Sequence, residues 1–303
     1  MKHIVTNAFH VCESMAFVQK CDFLLEERME NAISQIDSTK DMRLFGLTGP
    51  SCSGKTTTAR KITEHMEKKG LRIHVISIDD FYYGLDYLKK RVDDDPDIEI
   101  DYDSEETIDI DLLEEVTENL LSCRKTVLPR FDFHTGKRTQ GEEINPMPES
   151  VFLFEGIQVL YPKINAILNH SPSYRSIAIC PTSEIECANV IFTPNEIRFF
   201  RRLVRDFRYR STSPEFTFFV WKSVRENEEK NIFPNMHLCQ AKIDSTMPYE
   251  IGMLKPYLDP LLKEIAKDSP YYAEAQRMLE KISSIAPISS DFLTTKSLYK
   301  EFI

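Results

Sequence analysis

The chain has 303 residues, 42% hydrophobic and 28% charged, with a formal net charge of −10. This is the composition of an ordinary folded chain that can bury a large core without a metal or disulfide staple, and its acidity disfavours a nucleic-acid partner or an anionic membrane surface. Seven scattered cysteines without CxxC spacing read as reduced thiols, and no basic-then-apolar leader or 18-residue apolar run is present, so a cytoplasmic protein is expected.

Residues 1–42 carry Phe17, Phe23, Leu24, Met29, Ile33 and Ile36, the last three of them three or four apart. That spacing predicts an N-terminal helical arm, either packed on the main body or pairing two copies into a homo-oligomer. The apolar run 43–48 ends at Gly49 as a buried strand would, residues 55–69 read as a helix stopped by Gly70, and 72–78 form a second strand. The acidic run 93–106 is expected to be a loop, and 109–122 a helix. Residues 151–154 are a buried strand running into Glu155-Gly156, and 175–180 a further strand. An arginine-rich helix follows near 195–210. From about 214 the chain reads as mostly helical, broken by Pro234, Pro248, Pro256 and Pro260. Strands alternating with helices imply an α/β doubly wound parallel sheet, here as a core over 43–303 with a lid at about 195–212 and a helical C-terminal extension over about 214–303.

Between the first strand and first core helix lies Gly49-Pro-Ser-Cys-Ser-Gly54-Lys55-Thr56, which fits the GxxxxGK[ST] pattern of a P-loop. Glycines let the backbone curl so that successive N–H groups face a phosphate, the helix N-terminus faces the same anion, Lys55 reaches the β and γ oxygens, and the Thr56 hydroxyl takes magnesium. ATP with Mg2+ is therefore the expected cofactor, bound by Gly49, Ser51, Ser53, Gly54, Lys55, Thr56 and Thr57.

Asp79 and Asp80 end the second strand, where ligands bind in open α/β sheets. Asp79 is expected to accept the proton of an acceptor hydroxyl and help hold the metal, and Asp80 to cap the next turn. Glu155, delivered by four apolar residues, occupies a Walker B position and is expected to hold magnesium through its waters. The segment 128–138 mixes Phe131, Phe133 and Arg138 over a short loop. The phenylalanines read first as core; otherwise they stack on a flat acceptor that Arg138 hydrogen-bonds. Arg198, Arg201, Arg202, Arg205 and Arg208 share an arc of roughly 120° on one helix. Like charges so stacked repel, which suggests that an anion occupies the stripe as a lid closes on transferring phosphates; a solvated face or a nucleic-acid patch is the other reading.

Together the P-loop, ISIDDFY (76–82), PRFDFHTGKR (129–138), FEGI (154–157) and RRLVRDFRYR (201–210) resemble the uridine kinase and phosphoribulokinase family of P-loop kinases. The likeness covers about 43–303 and is nearest to the bacterial-type uridine kinase-like nucleoside kinases, which share a tract like residues 221–234 and an ending like SLYKEFI (297–303). Their longer members carry a TGS module, which is not expected here. The resemblance implies a general base at Asp79, magnesium at Thr56, Asp79 and Glu155, a ribose-binding acid at Asp103, an aromatic beside the acceptor at Tyr82, and lid arginines at Arg202, Arg205 and Arg210. Three positions depart from the uridine–cytidine pattern: Gly136 stands where a base-reading histidine is usual, Phe131 where a tyrosine is, and Thr212 where a second lid arginine is. These departures touch pyrimidine recognition and leave the phosphate chemistry intact.

The expected activity is transfer of the ATP γ-phosphate to a hydroxyl of a small molecule, most simply the ribose of a nucleoside. Asp79, Lys55, Arg202 and Arg205 are expected to act on the reacting groups, Arg210 on the nucleotide, and Tyr82, Asp103, Phe131, Phe133 and Arg138 on the acceptor. The rivals are a kinase of a sugar phosphate or other metabolite, a catalytically silent ATP-binding regulator, and an RNA-binding protein using the arginine stripe.

Overall fold

The computed structural model describes residues 3–6, 11–37, 43–94 and 104–303. Its centre is a five-stranded parallel sheet built from β2 (Leu44–Thr48), β3 (Ile73–Ser77), β6 (Val151–Glu155), β7 (Tyr174–Cys180) and β10 (Ala241–Asp244), in the order β10-β7-β2-β6-β3. The chain crosses between strands through α2 (Lys55–Lys68), α3 (Leu85–Asp94), α4 (Ile110–Leu121), α5 (Pro162–Asn169), α6 (Pro194–Arg210) and α7 (Pro214–Asn227).

Burial on both faces explains the apolar runs. In β6, Val151 and Leu153 join one core cluster with α1 (Val11–Ile36), α2 and α6, while Phe152 and Phe154 join the other with α4 and α5. Successive side chains of a strand point to opposite faces, so a doubly covered strand must be apolar throughout. The expected α/β doubly wound fold is the one observed.

Several elements differ from the sequence expectation. The segment 128–138 is not a loop but the core of an antiparallel hairpin, β4 (Thr126–Asp132) with β5 (Lys137–Ile144). The C-terminal third contributes the edge strand β10, paired in parallel with β7. Pro256 and Pro260 lie inside α8 (Glu250–Glu264) instead of breaking it. At the N-terminus, β1 (His3–Thr6) pairs with β8 (Glu184–Cys187), which in turn pairs with β9 (Val190–Phe192). Helix α1 buries Val18, Cys21, Leu25, Met29, Ile33 and Ile36, whereas Phe23, counted among its apolar face, is 59% exposed. The described cysteines are free thiols, and among the described residues no helix is long and apolar enough to cross a membrane.

The arginine stripe divides. Helix α6 starts with a capping box between Thr193 and Glu196 and buries Ile197, Phe199, Phe200, Leu203 and Val204. Arg198 and Arg201 are fully buried with them. They do not wait for a phosphate: Arg198 forks onto Glu228 at 2.6 and 2.8 Å, and Arg201 onto Glu250 at 2.7 and 3.1 Å. The Tyr299 hydroxyl donates to the same Glu250 carboxylate, and the Tyr299 and Phe302 rings lie 5.4 and 5.3 Å from the Arg201 guanidinium. The repulsion that made the stripe look like an anion site is relieved here by carboxylates from distant segments. Arg208 rests over the Tyr257 ring at 5.1 Å.

Breaking a buried ion pair from one side strands the other charge, at a cost of about 3–5 kcal/mol. Glu250→Ala is therefore expected to lower the unfolding free energy by about that amount, measured by urea titration. Loss below about 1 kcal/mol would mean that Arg201 finds another partner.

Candidate active site

The P-loop sits between β2 and α2. Gly54 has φ +103°, and a Cβ there would come within 2.2 Å of the Leu298 side chain; a Cβ on Gly49 would lie 2.1 Å from the Ile179 carbonyl oxygen. Both positions demand glycine, the first for its backbone and both for lack of space. Lys55 Nζ donates to the carbonyls of Gly49 and Pro50 at 2.9 and 3.2 Å, bracing the turn. The Ser53 hydroxyl is buried without a partner among the described residues. The Ser51 amide instead donates to Glu228 at 3.0 Å, and its hydroxyl accepts from Arg202 at 2.9 Å.

This turn forms one wall of a cleft of about 550 Å3. Asp79, in a 3-10 turn after β3, and Glu155, at the end of β6, face it with Lys55 and Thr56. Ser77 and Glu155 pair in register, which sets the two acidic strand ends side by side. Burial pushes both Asp79 and Glu155 above the ordinary carboxylate range, against the attraction of Lys55. Burial also pushes the Lys55 ammonium down, opposed by the nearby charges of Glu155 and Asp79.

Gln158, from the turn after Glu155, donates through Nε2 to Asp79 Oδ1 at 2.6 Å and to the Tyr82 hydroxyl at 2.8 Å. It fixes the direction of the Asp79 carboxylate. On the opposite wall, Asp206 forms ion pairs with Arg202, Arg205 and Arg210 at 3.1, 2.6 and 3.7 Å. All three arginines line the cleft. One buried carboxylate thus gathers three cations beside the P-loop.

The aromatic residues converge as well. Tyr82, Phe131 and Phe133 form a trio with ring centroids 5.0–6.3 Å apart. Phe133 is 68% exposed, so it is not core. Asp80 does not cap its own turn; its Oδ1 accepts from the Phe131 amide at 2.9 Å and pins the hairpin to the sheet. Arg138 is held away from the cleft, paired with Asp109 at 2.8 Å and lying over the Tyr83 ring. Gly136 has φ +64°, and a Cβ there would lie 2.2 Å from Leu85. A histidine at this position would collide with the start of α3, which gives the departure at 136 a steric reason. Asp103 lies outside the described residues.

Four residues of the site escaped the sequence reading. Asp206 was signalled by its spacing, four residues from both Arg202 and Arg210. Gln158 lies three residues past Glu155, close enough to suspect. Glu228 and Glu301 meet the P-loop from segments more than 170 residues away and carry no local signal.

An amide-lined turn, a lysine, two acidic strand ends and a cluster of arginines around one cleft define a phosphotransferase of the P-loop class. The match to known proteins agrees. Residues 44–250 match the model of the "Phosphoribulokinase / Uridine kinase family", and the chain belongs to that family. A uridine kinase of Lactobacillus helveticus is 30% identical over 173 residues, 56% of this chain and 70% of its own length. Uridine-cytidine kinase C of Dictyostelium discoideum is 32% identical over 126 residues, 42% of this chain and 25% of its own length. A possible uridine kinase from Bacillus stearothermophilus superposes over 73% of this chain and all of its own (100%), with a TM-score of 0.47 at 16% identity.

Among the described residues no three His, Cys, Asp or Glu side chains group as a metal cage. Magnesium in phosphotransferases takes one or two carboxylates and fills its shell with phosphate oxygens and water. Two carboxylates with the Thr56 hydroxyl on one cleft fit that demand.

The charged form of Asp79 is favoured by the Gln158 donor, so Gln158→Leu is expected to push the Asp79 carboxyl still higher. The acidic limb of the pH–rate profile should then move to higher pH; an unshifted limb would remove Gln158 as a positioning residue. The raised Asp79 also has a stability consequence. Ionising it costs folding free energy above its folded pKa, and the cost fades as pH falls towards the ordinary carboxylate range. Asp79→Asn should therefore melt higher than the parent at pH 8, with the gap closing towards pH 4. A variant that melts lower at pH 8 would contradict the burial argument.

Proposed function

We propose that this chain is an ATP- and magnesium-dependent kinase that phosphorylates a hydroxyl of a nucleoside. The polyphosphate lies along the P-loop amides between Gly49 and Thr57, with the buried Ser53 hydroxyl as a further donor. Lys55 turns from its own loop carbonyls to the β and γ oxygens. Thr56, Asp79 and Glu155 would hold the metal, which when bound would supply positive charge against the transferring phosphate.

The observation that carries this reading is the Asp79 carboxylate, aimed by Gln158 into the same cleft as Lys55 and the three arginines. A carboxylate so held can accept the acceptor hydroxyl's proton as its oxygen attacks the γ-phosphorus in line. Arg202 and Arg205 stabilise charge on the transferring group, and Arg210, at the helix end, meets the nucleotide. The trio of Tyr82, Phe131 and Phe133 supports a planar acceptor over a sugar phosphate, because flat rings stack on aromatic faces and a second phosphate gains nothing from them. With Arg138 spent on Asp109, base-edge reading falls to other groups, and the acceptor site favours stacking over a single pyrimidine pattern.

A panel of ribonucleosides and sugar phosphates, read by ADP release, tests this directly. Nucleosides are expected to stimulate turnover, and stimulation by sugar phosphates alone would replace the acceptor assignment. Asp79→Asn is expected to lower kcat by at least about a thousandfold while ATP affinity changes less than threefold, in line with loss of a general base. Undiminished turnover would exclude Asp79 from the chemistry.

A further inference from the structure

The C-terminal turn reaches into the phosphate cradle. Leu298, Tyr299 and Phe302 are buried, and Leu298 packs directly on Gly54 of the P-loop. Between them Glu301 directs its carboxylate at the N-terminus of α2, where Oε1 accepts from the Thr57 amide at 2.5 Å. Burial pushes this carboxyl up, opposed by its bonds to the Thr57 amide and the Thr56 side chain and by the Lys55 charge. The turn is anchored from two sides. Asp22 of α1 accepts from Ser297 at 3.0 Å and from the Thr294 hydroxyl at 2.9 Å, and Tyr299 joins the buried Glu250–Arg201 pair. Arg60 of α2 also donates to the Lys296 carbonyl at 3.4 Å.

The first amides of this helix are the groups that grip the α and β phosphates in a P-loop. A backbone N–H offers one hydrogen in one direction, and a carboxylate oxygen already lies on it. A phosphate brought to the same amide would meet a second anion in a partly dehydrated cleft, where like charges repel strongly. We propose that Glu301 is a resident anion of the nucleotide site: its carboxylate holds the position of a nucleotide phosphate, and ATP binds only as Glu301 leaves the Thr57 amide. The anchors on Asp22 and Glu250 keep the turn in reach, so the competition is intramolecular and always present. Apparent nucleotide affinity is then lowered by the fraction of molecules whose cradle is open. A charge-assisted hydrogen bond of ordinary strength corresponds to roughly a tenfold closure.

This inference rests on the P-loop being the polyphosphate site. Calorimetric titration of MgATP into the parent chain, Glu301→Gln and Glu301→Ala tests the two separately. The expected result is a Kd about tenfold lower in Glu301→Ala, with Glu301→Gln in between. Unchanged affinity in folded variants overturns the competition and leaves the site assignment standing. Weaker affinity also overturns it, and makes Glu301 a supporting ligand of the nucleotide. Failure of all three proteins to bind MgATP overturns the site assignment and this inference with it. Should neither variant fold, amide exchange in the parent decides: residues 298–303 are expected to exchange faster with MgATP bound, and unaltered protection overturns the proposal.

Discussion

Charge gathered at the carboxyl end of a parallel sheet has to be paired, and that constraint shapes this protein more than any other. Removing a carboxylate or guanidinium from water costs several kcal/mol unless a partner meets it in good geometry. Each buried ion here is accordingly shared. Glu228 takes Arg198, Arg225 and the Ser51 amide; Glu250 takes Arg201, Tyr299 and the Met247 amide; Asp206 takes three arginines. These pairings join α6, α7, α8 and the C-terminal turn around the P-loop. Support of the site and stability of the core are therefore the same set of bonds.

The same constraint separates two kinds of arginine on one helix. Arg198 and Arg201 face the core and are satisfied by carboxylates, so they hold α6 in place. Arg202, Arg205 and Arg210 of the same helix line the cleft, tethered by a single carboxylate that three cations exceed in charge. Their surplus positive potential points into the cleft, where a polyphosphate can complete it. A rigid frame and an unsatisfied face arise from one amphipathic pattern.

Acid and base groups in the cleft are tuned by opposition. Burial pushes Asp79 and Glu155 up and Lys55 down, while their mutual attraction works the other way. A carboxylate raised towards neutrality is a better proton acceptor than a fully solvated one. Gln158 matters because it orients that carboxylate without adding charge. Asp80, next in sequence, is given to the hairpin backbone, so two adjacent aspartates face the cleft and the scaffold separately.

The sheet strands, the P-loop, Asp79 and Glu155 were legible because each depends on local chemistry. An apolar run buried on both faces, glycines where a Cβ cannot fit, and acids at strand ends are properties of short segments. The hairpin at 126–144 was missed because its aromatic and basic residues do not alternate cleanly, and β10 because four residues among helices carry too little pattern. The sequence by itself determined a P-loop on a parallel sheet and the family to which it belongs. Only the tertiary structure decided which arginines are buried, that Arg138 faces Asp109, that Gln158 aims Asp79, and that Glu301 reaches the Thr57 amide. Those outcomes are pairings between charges far apart in the chain, and the free energy of burying a charge depends on which partner the fold brings to it.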